Sequence, residues 1–247
     1  MKSKIIPLVL MLAATAAHAQ ELRLRGPADY PFTSQPGANP GFFVEAAEDI
    51  LKAHGQDPNY RVVPWNAMIA GGESGLYDCL LGIHTSEAPE LNFTSEAWTV
   101  MSPHLYVRTE DPLKYQDLSS FQNRLVGVLK DSRMEAALQP MKKYKPDNLK
   151  VFLRKEGQGM DEMVRELRFG QIDVIAAPKT FMDHYLKEHD LTKVIRDVGR
   201  FTKPVPLYIA CSNKSNGVQL VKWLNQGRFD LMRDGKWQAL KEKYGVE

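Results

Sequence analysis

Three aromatic residues stand in stretches of turn-forming residues rather than in apolar runs: Tyr30 and Phe32 in Ala28-Asp29-Tyr30-Pro31-Phe32-Thr33-Ser34, and Trp98 after Phe93-Thr94-Ser95. Placed around one cleft, such rings clamp a flat or cationic solute; the competing reading is ordinary packing. Trp65 follows Pro64 and reads more as a packing residue than as a ligand wall. His84, followed by Thr85 and Ser86, offers a donor to a ligand oxygen or a pH-sensitive latch, against a loop histidine bonded to backbone. Lys130-Asp131-Ser132-Arg133 precedes a helical pattern. Backbone N–H groups at such a point favour an anion, with Lys130, Ser132 and Arg133 as candidate contacts and Asp131 opposing them. Gly157-Gln158-Gly159 opens another helix, which Asp161 caps. No Gly-x-Ser-x-Gly elbow, Walker loop, His-Glu-x-x-His, EF-hand loop or dinucleotide fingerprint occurs. These residues suit binding, not catalysis; no cofactor or metal is called for.

The elements that must position them carry a repeated phrase. Met68–Asp78 and Met163–Asp173 each read as a helix end, a left-handed capping Gly, a short turn and an Asp. Each then runs into a short apolar strand, Cys79-Leu80-Leu81 or Val174-Ile175-Ala176-Ala177. A Gly-stopped helix followed by an apolar strand is half of a βαβ unit, whose strand lies in a parallel sheet covered on both faces. Two such units predict two α/β lobes with a cleft between them, the place to look for a ligand. Strands are expected at 22–25, 60–63, 78–82, 103–108, 125–129, 149–153, 173–177 and 207–211. Helices are expected at 41–55, 66–74, 133–143, 161–169, 181–187, 218–232 and 237–243.

Composition is that of an ordinary globular chain, 43% hydrophobic and 25% charged over 247 residues, enough for one large or two small α/β domains. Its start is different. Lys2 and Lys4, an apolar Ile5–Ala14 run and Ala17-His18-Ala19 read as a cleaved secretory leader over 1–19. The apolar run is too short to span a bilayer. The two leader lysines account for the whole formal charge of +2, so the mature chain is neutral and has no global attraction to nucleic acid. An oxidising compartment permits a disulfide between Cys79 and Cys211, the only cysteines. Both sit in apolar strand-like runs, and two buried free thiols is the favoured of the two readings.

The order of motifs along the mature chain resembles the bacterial extracellular solute-binding proteins of the type II fold, the polar amino-acid-binding family and its relatives. The matching phrases run from Gly41-Phe42-Phe43-Val44-Glu45-Ala46-Ala47 and Ser74-Gly75-Leu76-Tyr77-Asp78 to Gly170-Gln171-Ile172-Asp173 and Asp234-Gly235-Lys236-Trp237. The resemblance implies two doubly wound lobes joined by two crossover strands, with ligand clamped by hinge closure. Lobe 1 is expected over 20–106 and 207–247, and lobe 2 over 107–206. It also exposes two departures. The family's loop Thr-x-x-Arg, whose Arg grips a ligand carboxylate, reads Thr85-Ser86-Glu87-Ala88 here. The Asp that holds the ligand ammonium is replaced by Pro178. With both grips on a zwitterion missing, the ligand is expected to be other than a free α-amino acid.

The reading adopted is a monomeric periplasmic solute-binding protein. It captures a small polar or aromatic solute between the lobes and works with an ABC-type membrane transporter or a membrane sensor. The alternative is a periplasmic lyase or dehydratase on the same scaffold. Ligand contacts are expected from Tyr30, Phe32, Trp65, His84, Thr85 and Trp98 of lobe 1, facing Lys130, Ser132 and Arg133 of lobe 2.

Overall fold

A computed structural model describes residues 21–130, 132–143, 147–153 and 158–246. The expected leader, Asp131 of the anion turn and Gly157 lie outside the described residues. The chain opens with β1 (Glu21–Gly26), α1 (Phe42–Ala53), β2 (Asp57–Val62), α2 (Trp65–Ser74) and β3 (Cys79–Ile83). Two short strands follow, β4 (Asn92–Phe93) and β5 (Thr99–Met101). Next come β6 (Pro103–Arg108), β7 (Val126–Leu129), α3 (Arg133–Leu138), β8 (Leu149–Phe152) and α4 (Gln158–Arg168). β9 (Val174–Pro178), α5 (Lys179–Glu188) and β10 (Ile195–Arg200) lead to the return strand β11 (Val205–Cys211), then α6 (Gly217–Arg233) and α7 (Lys236–Tyr244).

Two sheets result, and they repeat one plan. The first has the order β2-β1-β3-β11-β4, with β5 also on β11; the second has the order β10-β6-β9-β7-β8. In each, three strands run parallel around a first-laid central strand, and the fourth, β11 or β6, is antiparallel and comes from the other end of a crossover. The fold is therefore the expected pair of doubly wound α/β lobes. The expected lobe boundary at 106 falls inside β6, whose residues pair with β9 and β10. The first crossover thus lies at Ser102, between β5 and β6; the apolar run 103–108 belongs to the second sheet.

The repeated Gly-x-x-Asp phrase has one physical role in both lobes. Gly75 and Gly170 take the left-handed conformation, φ 82° and 71°, that ends a helix without a Cβ clash. The Asp then clips the new strand to the first one. Asp78 donates its N–H to Arg23 O at 3.0 Å and accepts the Arg23 N–H on Oδ2 at 2.8 Å. Asp173 does the same with Leu125, at 2.9 and 2.8 Å. Both Asp side chains also face an arginine, Arg23 at 2.9 Å and Arg108 at 3.8 Å.

Cys79 and Cys211 face each other across β3 and β11 and form a disulfide, which corrects the favoured reading of two free thiols. The apolar surroundings were read properly, since both residues are fully buried. What a linear reading lacks is the antiparallel register that sets the two opposite one another.

Candidate functional site

A cavity of about 430 Å³ lies between the lobes. Its floor and walls come from first-lobe Pro27, Ala28, Asp29, Phe32 and Thr33, the segment 62–65 and Gly82, and from second-lobe Lys130, Ser132, Arg133 and Met134 with Leu153 and Pro178. Most of this lining is carbon: Phe32, Trp65, Met101, Met134, Leu153 and Leu207.

The 27–33 loop is fixed by the start of α1. The N–H groups of Phe42 and Phe43 donate to Pro31 O and Phe32 O at 2.9 and 3.0 Å, satisfying two helix-end donors. The approach requires Gly41, where φ is 107° and a Cβ would sit 2.7 Å from Phe32 O. Inside the loop Thr33 Oγ1 donates to Pro27 O at 2.7 Å, and the Phe32 and Thr33 N–H groups donate to Asp29 O. Phe32 is thereby held in the wall, only 4% exposed. Above it, Tyr60 packs its ring under Gly26, and burial pushes its phenol well above the ordinary range.

Arg133 crosses the cleft. Its Nε and Nη2 donate to the two carboxylate oxygens of Glu87, each at 2.6 Å, and Nη2 also donates to Gly82 O at 3.0 Å. The guanidinium lies over the Trp65 ring, 4.5 Å from its centroid. The first lobe presents these partners ready-made. Glu87 Oε2 accepts the His84 N–H at 2.7 Å, which anchors the carboxylate within its own loop. Gly82, at φ 75°, is skipped in the pairing of β3 with β11, where Ile83 opposes Tyr208 and Leu81 opposes Ile209. A bulge of this kind leaves a carbonyl outside the ladder and aims it elsewhere.

Of the nine residues expected at the site, Phe32, Trp65, Lys130, Ser132 and Arg133 line the cavity. Ser132 is also the N-cap of α3, its Oγ accepting the Glu135 N–H at 3.1 Å, so its hydroxyl is already engaged. The other four are placed differently. Trp98 is 2% exposed and belongs to the core, stacked on Phe43 at 5.7 Å and edge-on to Trp237 at 5.3 Å. Its backbone N–H bonds to Leu207 O, which turns the ring under α1 and away from the cleft. Tyr30 leaves the cavity for a separate polar inter-lobe pocket, its ring 4.5 Å from His184 of α5 and 6.2 Å from Tyr244. His84 and Thr85 stand outside the cavity lining; the His84 ring bonds to Ser86, and its contribution is the N–H that holds Glu87.

The residue missed is Glu87. It sits beside Ala88, the position where the resemblance predicts an Arg, and it is Glu87 that faces the cleft while Ala88 is wholly buried against Met68, Leu80 and Ile83. A carboxylate next to a missing cation was the available signal. A second grouping escaped as well: Ser102, His104 and Asp197 come within hydrogen-bond reach. His104 Nδ1 lies 2.8 Å from Asp197 Oδ2, and its Nε2 lies 3.1 Å from Ser102 Oγ. None of the three lines the inter-lobe cavity. They link β6 to β10, the two strands of the second sheet that meet the crossovers. Among the described residues no cluster of His, Cys, Asp and Glu is arranged to hold a metal ion.

Comparison with known proteins adds sequence and fold relationships. The profile of the bacterial extracellular solute-binding proteins, family 3, matches residues 26–247. The L-cystine-binding protein TcyJ of Escherichia coli K12 is 23% identical over 233 residues, covering 87% of this chain and 77% of that protein. Among solved structures, one from a study of glutathione import by GshT and the cystine ABC importer TcyBC of Streptococcus mutans superposes with a TM-score of 0.75. It is 19% identical and covers 92% of this chain and 95% of that one. A histidine kinase sensor domain similar to periplasmic binding proteins gives 0.74 at 22% identity, over 92% and 97% of the two chains.

Proposed function

The chain belongs to the bacterial extracellular solute-binding proteins, family 3, and from that premise we propose that it captures a small polar or aromatic solute other than a free α-amino acid. Capture takes place in the cavity between the lobes, in the periplasm, and the solute passes to an ABC-type membrane transporter. Phe32 and Trp65 supply aromatic surface from the first lobe, and Met134, Leu153 and Pro178 close the cavity from the second. Contacts that a solute makes with both lobes at once favour the closed arrangement.

The observation that carries the reading is the state of the charges in the wall. A zwitterion needs a cation for its carboxylate and an anion for its ammonium. Ala88 points into the core, Pro178 has no charge, Arg133 and Glu87 are bonded to each other, and the other charged residues of the lining, Asp29 and Lys130, each have a partner already. A free amino acid would have to draw one of these charges away from its partner or lie beside them unpaired, and an unpaired charge in a desolvated site costs several kcal/mol. A solute with a flat or apolar body fits the carbon walls without either penalty.

A thermal-shift screen tests this. Because similar proteins are named for L-cystine and arginine, these head a panel of the common L-amino acids, followed by aromatic and heterocyclic solutes. A ligand at one hundred times its dissociation constant adds about 2.7 kcal/mol of stability, which such a screen resolves. No shift is expected from any simple amino acid at sub-millimolar concentration, and a saturable shift with one of them refutes the exclusion. Recovering the bound solute unchanged after incubation separates a binder from a lyase or dehydratase.

A further inference from the structure

We propose that Arg133 is a latch: in the absence of solute it fills a cation-binding site on the opposite lobe and holds the cleft closed. The inference does not depend on which solute the cavity takes, since it concerns the chain's own side chain.

Three first-lobe groups make that site, and each is shaped before Arg133 arrives. The Glu87 carboxylate is oriented by the His84 N–H, 2.7 Å away. The Gly82 carbonyl is released from the β3–β11 ladder by the bulge. The Trp65 ring sits at the first turn of α2, directly behind Pro64, with its face toward the cleft. Together they offer a carboxylate fork, a neutral acceptor and a π-face, the set that matches a planar guanidinium. Arg133 comes from the first turn of α3 in the other lobe, and both charged side chains are largely covered, 18% and 20% exposed.

Every one of these contacts joins one lobe to the other, so none survives when the lobes part. An interaction available only in one of two conformations shifts the population toward that conformation. Exposed surface ion pairs contribute little because water screens them, but this pair is bidentate, partly desolvated and stacked. The only other aromatic inter-lobe contact among the described residues, Tyr30 on His184, has no such fork. The latch also acts in specificity: a solute bearing a guanidinium or ammonium competes with Arg133 for its seat.

The test uses the full mature chain, shown by native mass spectrometry to carry no co-purified solute. Small-angle scattering is measured on the native protein, on Arg133→Ala and on Glu87→Gln. The native protein is expected to be compact without solute, and both variants to show a larger radius of gyration. Methylguanidinium in the millimolar range is then titrated into Arg133→Ala and into the double variant, following tryptophan fluorescence. A saturable change is expected in the single variant, where the vacated site accepts the probe, and not in the double one. If native protein and variants scatter alike, or if the single variant shows no saturable response, the latch is wrong. Should Arg133→Ala lose its cooperative melt, Glu87→Gln, which keeps the side-chain shape, decides by scattering alone. Failure of the amino-acid screen would leave these results untouched, so the two readings fall separately.

Discussion

Two tryptophans divide the work at the scale of single residues. Trp98 stacks on Phe43 and meets Trp237 beneath α1 and α7, at 2% exposure, whereas Trp65 lines the cavity under Arg133. Trp98→Ala should therefore cost about 3–5 kcal/mol of stability, the range for emptying a large aromatic site, and leave affinity in the folded fraction unchanged. Trp98→Phe should cost much less, because the buried indole Nε1 has no hydrogen-bond partner among the described residues to lose. Trp65→Ala should do the reverse, weakening solute binding by roughly 1–2 kcal/mol with a small effect on melting. Calorimetry and melting curves on the three variants check the assignment, and a Trp98 variant with normal stability and lost affinity would reverse it. Both residues sit beside turn formers, and the sequence reading leans the other way, toward packing for Trp65 and toward the cleft for Trp98. Their fates diverge through a backbone bond from Trp98 to Leu207, which links positions far apart in the chain.

At the scale of elements, the Gly-x-x-Asp clips can be ranked by burial. The Asp78 side chain is 9% exposed and takes both the Arg23 N–H and its guanidinium; the Asp173 side chain is 33% exposed and its arginine stands further off. Asp78→Ala should lower stability by roughly 2–3 kcal/mol, as expected for lost hydrogen bonds to a charged group with a backbone donor left behind, and Asp173→Ala by about 1. Denaturant melts of the two variants check this; equal losses would mean that burial is not what sets the value of the clip. The Gly-x-x-Asp phrase was legible because it consists of local residues in a fixed order; the bonds its Asp makes to Arg23 and Leu125, about fifty residues away, were not. The strands that went unread have no such signal. β4 and β5 are too short for a period and exist because they pair with β11. β10 (IRDVGR) is an edge strand with its partner on one side only, so its sequence keeps Arg and Asp at positions open to water. β2 begins three residues earlier than its apolar pattern, taking in Pro58, which an edge strand tolerates because one side of its backbone has no ladder to break.

For the whole molecule, the Cys79–Cys211 disulfide sets how the two lobes share one chain. It joins β3 to β11 across a sequence separation of 132, and everything from β4 to β10, the entire second sheet included, lies inside that loop. The second lobe is thus an insertion between two strands of the first, β5 and β11, and the disulfide ties β3 to β11 at the end of the return strand away from that insertion. Neither cysteine touches the cavity, and both crossovers lie on the far side of the bond, so hinge motion can proceed with the staple in place. Reducing the disulfide, or replacing both cysteines by Ser, should therefore lower stability by about 2–5 kcal/mol, the range for loss of a native disulfide. Solute affinity and the scattering difference between native protein and Arg133→Ala should not change. Melting curves with and without reductant, paired with a binding isotherm on the reduced protein while it is still folded, make the comparison. Equal melting in both conditions would show that the β3–β11 pairing needs no covalent support. A loss of affinity without a loss of stability would instead place the disulfide in the closure mechanism, against its position on the first-lobe side of both crossovers.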